Sequence, residues 1–295
     1  MVVDQNALLT DIQYLSSDEL EGRKTGTEGA ERAAVYIEQR FGDLGLNPFG
    51  DGYRQVFRFR NEQTGEFFPR AVNLVGYLEG SLHPDRFILV TAHYDHLGRT
   101  NGEVFNGADD NASGTAGMME IARYFSSHPP ENSLIFVAFD AEEQGLGGSR
   151  YFVDHPPVPL ENQVVVINLD MISRNDRNEI YVAGTSHYDF LKPLIEESVN
   201  DALVDVRFGY DSPNAPDDWT LASDHGPFHV QGVPFVYFGV EDHEHYHHPD
   251  DIFEHIDRSF YVNVTEMILH FLIHLDRNLD QVVEASGRTV SGFSY

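Results

Sequence analysis

The chain reads as an α/β protein, a three-layer α/β/α sandwich around a mixed, mostly parallel sheet. Three observations predict it. Four short, wholly apolar runs recur along the chain, at 87–92 (FILVTA), 134–139 (LIFVAF), 164–169 (VVVINL) and 234–240 (PFVYFGV). Runs of that length, rich in β-branched and aromatic residues and lacking polar alternation, are strands buried on both faces. Amphipathic stretches with helical spacing lie between and around them. Finally, each run stops at acids or histidines: His93, Tyr94, Asp95, His96 after the first; Asp140, Ala141, Glu142, Glu143 after the second; Asp170 after the third; Glu241, Asp242, His243 after the fourth. In open α/β sheets the carboxyl ends of the strands are where ligands bind. Four such endings point to one polar site along one edge of one sheet.

Residues 7–46 read as two helical pieces around a loop, 20–29 (LEGRKTGTEG), that carries Gly22, Gly26 and Gly29. The second helix has Ala33, Ala34, Ile37 and Phe41 on one face and ends at Gly45. Arg23 and Thr25 in the loop read as solvent-facing polar residues, with contact to a substrate as the alternative. Residues 53–60 and 72–79 read as a strand pair around Gly65 and Pro69. After His96 comes an irregular stretch of Gly, Asn and Asp, and then a helix from Ser113 with Met118, Ile121, Ala122 and Phe125 inward. A short helix at 149–153, a strand at 179–183 and a helix at 188–200 follow. Residues 209–222 form a long loop, and long loops in compact folds are often functional. A short helix at 223–230, capped by Ser223 or Asp224, leads to the last strand. A closing helix at 260–275 shows Val264, Ile268, Phe271 and Leu272 on one stripe. The whole is expected to be one catalytic domain, 1–295: helices and edge hairpin in 1–80, a core in 81–278, and a loose tail in 285–295.

Length and 41% hydrophobic content suffice for a full core. No stretch approaches eighteen consecutive apolar residues, so no membrane partner is expected. There is no cysteine, so any metal must be held by nitrogen and oxygen. With 19 basic and 48 acidic residues the formal charge is −29, which argues against a nucleic-acid partner and favours metal ions and protonated amines. The first residues, MVVDQNALLTDI, lack the basic and apolar regions of a signal peptide. The expected location is periplasmic or secreted, with a leader lying outside this sequence, and otherwise cytoplasmic.

Asp140, Glu142 and Glu143 at the end of one buried strand repel one another, and a bound cation is the simplest thing that would hold them together. Each polar residue also has a plainer reading. His93 alone suits a satisfied histidine at a strand end. Glu142 and Glu143 suit favourable charges at a helix start. Asp109, Asp110 and Ser113 suit caps of the helix that follows. Asp224 reads as part cap and His225 as a packed group. Asp250 and Asp251 read as turn residues, and Trp219 as pocket wall or surface packing.

HYDHLG, NGADDNASG, DAEEQGLGGS, NLDM, SDHGPF and YHHPDD occur in that order, across nearly the whole chain. Together they resemble the zinc-dependent aminopeptidase family, which also includes glutamate carboxypeptidases and glutaminyl cyclases. The loop at 20–29 is similar to bacterial members too. The resemblance implies two zinc ions, with cobalt or manganese as substitutes. It implies His93 and Asp170 on one ion, Glu143 and His247 on the other, and Asp110 bridging. Glu142 would be the general base, Asp95 would orient His93, and Tyr246 would polarise the substrate carbonyl. Of His243, His245, His247 and His248, the family pattern selects His247.

The chemistry of these residue types agrees. Zinc takes imidazole nitrogen and carboxylate oxygen. Three carboxylates and two neutral imidazoles give about −3 against +4, an excess that a bound hydroxide would neutralise. A carboxylate left off the metals can move a proton from water to a leaving amine. The implied activity is removal of the N-terminal residue from a peptide with a free N-terminus, by a metal-bridged hydroxide. The alternatives are a one-zinc glutaminyl cyclase, a carboxypeptidase, or a binding relative without metals. Neither the preferred side chain nor the oligomeric state is read from the sequence.

Overall fold

The computed structural model describes residues 2–214, 217–288 and 290. The four apolar runs become the four central strands of its large sheet: β4 (His83–His93), β7 (Asn132–Phe139), β8 (Gln163–Leu169) and β11 (Phe235–Gly239). Among the described residues this sheet has nine strands, in the order β1–β3–β7–β4–β8–β11–β9–β10, with β2 also paired to β3. β1 (Asn47–Pro48), β2 (Arg54–Arg60) and β3 (Phe67–Leu78) join antiparallel on one side. β9 (Glu179–Ala183) runs antiparallel to β11 and carries the parallel β10 (Asp205–Phe208) at the other edge.

Side chains alternate between the faces of a strand, and β4 shows the consequence. Ile88, Val90 and Ala92 enter one core with α1 (Gln5–Leu15), α2 (Glu28–Asp43), α3 (Gly114–Ser127), α5 (Leu191–Ser198) and α7 (Arg258–Arg277). Phe87 and Leu89 enter the other, with Phe152 of α4 (Gly147–Asp154) and Phe228 of α6 (His225–Val230). Both faces of the central strands are therefore covered, which is why their sequences carry no polar alternation. The inward stripe of α7, Val264, Ile268, Phe271 and Leu272, is fully buried; each such side chain stabilises by about 1.5–3 kcal/mol. Carboxylates and a hydroxyl close helix starts: Asp4 accepts from the amides of Asn6 and Ala7, Thr27 from Ala30, and Asp257 from Ser259 and Phe260.

Several elements lie beyond the sequence reading. A small ribbon, β5 (Gly98–Thr100) with β6 (Glu103–Phe105), occupies the stretch expected to be irregular. β10 is a half-exposed edge strand without an apolar run, so nothing in its sequence announces it. α8 (Leu279–Ser286) includes Ala285 and Ser286, where a loose tail is expected, and Arg288 donates to the Gly232 and Leu160 carbonyls. Residues 289 and 291–295 of that tail lie outside the described residues. Among the described residues no helix is long and apolar enough to cross a membrane.

Candidate metal centre

Strand register assembles the site. In β4 and β7 His93 lies opposite Phe139, so the Asp140–Glu143 segment leaves the sheet beside His93. In β4 and β8 Thr91 lies opposite Asn168, so Asp170 emerges on the other side. β4 is thus flanked by β7, its successor on one side, and β8 on the other, the point where chain direction across the sheet reverses and a crevice opens.

Asp110 reaches the crevice from the turn before α3, and His247 from the loop after β11. His93 Nε2 lies 3.3 Å from Asp110 Oδ1 and 3.3 Å from Asp170 Oδ1. His247 Nε2 lies 3.1 Å from Asp110 Oδ2 and 3.3 Å from Glu143 Oε2. The two oxygens of Asp110 therefore face two separate groups of donors. Bonds of about 2.0–2.1 Å to one tetrahedral ion place its ligand atoms about 3.3 Å apart, so both groups have the spacing of a metal's ligands. The set holds only imidazole and carboxylate, which suits zinc and other first-row divalent ions.

Charge crowding supports this fit. Burial pushes the Glu142 carboxyl well above the usual range against the pull of His93, and Asp224, Glu143 and Asp170 add to the rise. Burial opposes charge on His93, yet Asp170 and Glu142 raise it well above an ordinary imidazole. Burial resists the charge on Asp110 too, but His247 and His93 hold it well below the usual carboxylate range. His247, against the same burial, is raised to about 10 by Asp110 and Glu143. So many buried carboxylates around two imidazoles call for positive charge, and the buried Arg23 contributes some from a distance.

Residues read as caps or turns serve here as props. Asp251 is buried and accepts from the amides of Asp109 (2.9 Å) and Asp110 (3.0 Å), so it is not a simple turn residue. Asp109 does not cap α3: it accepts from the amide and hydroxyl of Ser173 and lies 3.1 Å from His243 Nε2. Ser113 donates to the Asp109 carbonyl and accepts from the Ile172 amide. Asn111 ties the turn to Leu169 O (2.9 Å) and the Met171 amide (3.2 Å). Arg23 and Thr25, expected at the surface, are buried. The Arg23 guanidinium donates to the carbonyls of Leu15, Tyr94, Asn106 and Gly107, and Thr25 donates to Asp140 (2.7 Å). A sequence shows a charged loop residue but not the four carbonyls that enclose it.

Asp95 contacts His93 Nδ1 through its backbone carbonyl (3.2 Å); its carboxylate is 3.7 Å away and accepts from the Glu142 amide (3.0 Å). It therefore braces the Glu142 backbone as much as the His93 ring. Asp224 makes no cap bond; both its oxygens are buried without partners, and burial, against the pull of His93, raises it to about 7. His225 is packed, with Nε2 2.8 Å from the Trp219 carbonyl. His248 is exposed beside Asp250, whereas the Tyr246 ring stacks on His247 at 3.9 Å. A cavity of about 90 Å³ opens over the cluster, walled by Trp219, Tyr237, Val240, Asp242 and Tyr246, with Glu142 in its lining. One residue of the cluster enters the sequence reading only as part of a strand ending, with no role given to it: His96, whose Nδ1 lies 2.8 Å from Glu143 Oε1. Its only signal is its place in HYDH, three residues after His93.

The curated relatives include the aminopeptidase YwaD of Bacillus subtilis, 38% identical over 189 residues, covering 60% of this chain and 38% of that protein. A glutamate carboxypeptidase 2 homolog of Caenorhabditis elegans is 35% identical over 145 residues, covering 47% of this chain and 17% of its own length. The chain spans less than half the length of these relatives. Among solved structures, a zinc aminopeptidase from Bacillus subtilis superposes with a TM-score of 0.73 at 19% identity, covering 91% of this chain and 94% of that one. A glutaminyl cyclase from Porphyromonas gingivalis gives the same TM-score and identity over 92% and 98%. The α/β architecture is the one those structures share. The sequence profile of Peptidase family M28 matches residues 73–272, two thirds of the chain, and the chain belongs to that family.

Proposed function

We propose that the chain is a zinc-dependent aminopeptidase that holds two ions and removes the N-terminal residue from peptides. The observation that carries this is Asp110, whose two oxygens each face a different histidine, with Asp170 beside one and Glu143 beside the other. That is the arrangement of a carboxylate shared between two metal positions. The aminopeptidase and zinc names of the relatives support the choice of reaction and metal.

When bound, the ions supply Lewis acidity toward a carbonyl and lower the pKa of water. The chain's own residues do the rest. Glu142 lines the cavity beside the ligands. An ionised carboxylate in that place takes a proton from the attacking water and returns it to the departing amine. Asp95 fixes the Glu142 backbone, and Tyr246 presents its ring at the cavity wall, where its hydroxyl can donate to the substrate carbonyl. The small cavity and the acidic chain suit the end of a peptide carrying a protonated amine.

The test is a panel of aminoacyl chromogenic substrates with and without chelator, run on the wild type and on Glu142→Gln. Glu142→Gln is expected to keep its metal and lose about 10²–10⁴ in kcat. Near-normal turnover overturns the role of Glu142. Ring closure of an N-terminal glutamine peptide, in place of hydrolysis, would move the chain to the cyclases.

A further inference from the structure

His96 is fully buried, and neither ring nitrogen has a hydrogen-bond partner. A buried polar atom left without a partner is costly, so two in one ring ask for a partner outside the protein's own hydrogen bonds. The ring is held where it is. The His96 amide donates to Arg23 O at 3.3 Å. Gly107 lies against the ring, and a Cβ at that position would stand 2.6 Å from His96 Cδ2 and Cγ and 2.1 Å from Asp110 O. Only glycine lets the Asp110 turn and the His96 ring pack together.

The ring points at Glu143. Nδ1 is 2.8 Å from Glu143 Oε1, which is also buried and makes no hydrogen bond, and 3.7 Å from Asp110 Oδ2. The two atoms face each other at contact distance without the alignment of a hydrogen bond. Donors to one ion, with bonds of about 2.0–2.2 Å, stand about 2.8–3.5 Å apart depending on the angle between them. The carboxylate and imidazole atoms of His96, Asp110 and Glu143 together lie close enough to hold one metal ion.

We propose that His96 Nδ1 is a ligand of the metal position formed by Asp110, Glu143 and His247. This rests on the two-metal reading and makes its positions unequal. The Glu143 side has four protein donors, the number that closes a structural zinc site, whereas the His93 side has three and keeps an opening. Water and the substrate carbonyl then bind on the His93 side, next to Glu142, and the Glu143-side ion exchanges more slowly.

Two measurements test this. In the Co²⁺-loaded wild type, exchangeable imidazole N–H signals shifted by the metal are counted by NMR. Three are expected, from His93, His247 and His96; two overturn the assignment. The second is metal affinity of His96→Asn, measured by chelator competition. Its amide can still donate to Glu143 but is a poor ligand. One of the two ions is expected to bind at least tenfold more weakly, with the other unchanged. If the variant binds both ions as the wild type does, His96 merely orients Glu143 and the proposal falls, while the two-metal reading stands. A wild-type chain that holds fewer than two ions overturns both.

Discussion

His93 and Asp170 leave neighbouring parallel strands and are fixed by the register of β4 with β8, whereas Glu143 and His247 reach the same crevice from loops. The difference shows in exposure: the His93 side chain is 1% accessible and that of His247 is 37%. It shows in the backbone as well. His247 itself has φ 53°, in the left-handed region, which costs a non-glycine residue about 1–2 kcal/mol. A sheet places side chains chiefly through its ladder of hydrogen bonds. A loop places them only if something else holds its backbone. Here the Asp95 carboxylate holds the Glu142 amide, and Asp251, in the loop of His247, ties that loop to the amides of Asp109 and Asp110. The lesson is that the loop-borne half hangs on a few braces, whereas the strand-borne half has the sheet ladder beside its own braces, Asn111 at Leu169 and Met171 and Thr115 at the His93 carbonyl.

The largest effect should come from Asp110→Ala, which takes a ligand from both halves at once. Metal content after dialysis is expected to fall from about two per chain toward none, measured by elemental analysis. Loss of a single ion would mean that the halves do not share that residue. Next is Arg23→Met. It strands the carbonyls of Leu15, Tyr94, Asn106 and Gly107, behind His93 and the Asp110 turn, and breaking such a buried charged network costs about 3–5 kcal/mol, read from urea melts. A change below 1 kcal/mol would show that the props are dispensable. Asp251→Asn is milder. It exchanges a charged acceptor of two amides for a neutral one and should weaken metal binding by about 10–100-fold, as losses behind metal ligands do. Unchanged affinity would leave the Asp110 turn standing without it.

The smallest effect concerns the strand half and pH. Asp140, at the end of β7, accepts from Val72 N and Thr25, and burial together with Asp95 raises it to about 7. Unfolded, the same carboxyl titrates near about 3.9. Between those values the folded chain keeps a proton that the unfolded chain has released, so this group's contribution to stability falls as pH rises from about 4 to about 7 and is level above. Asp140→Asn lacks that slope. Relative to the wild type it should gain stability between about pH 5 and about pH 8 in urea melts. An equal difference at both pH values would mean that Asp140 is ionised in the fold throughout.

The central strands were legible because burial on both faces writes itself as an unbroken apolar run. Strands that leave one face to solvent, such as β10, write no such mark. The cluster of His93, Asp110, Glu143, Asp170 and His247 was legible through six ordered motifs. The props were not. Arg23 looks like any charged loop residue, and Asp251 like any turn aspartate, because their partners are backbone atoms that bear no sequence label.

The order of apolar runs and the residues ending them were enough to set the layers, the sheet edge that carries the site and the type of chemistry there, because periodicity and residue type are local properties. Which carboxylate faces which imidazole, that Arg23 and Asp251 are buried supports, and that His96 turns inward to Glu143 were decided only by tertiary structure. Those depend on distances of a few ångströms between segments up to 142 residues apart, and such distances exist only once the sheet has brought the segments together.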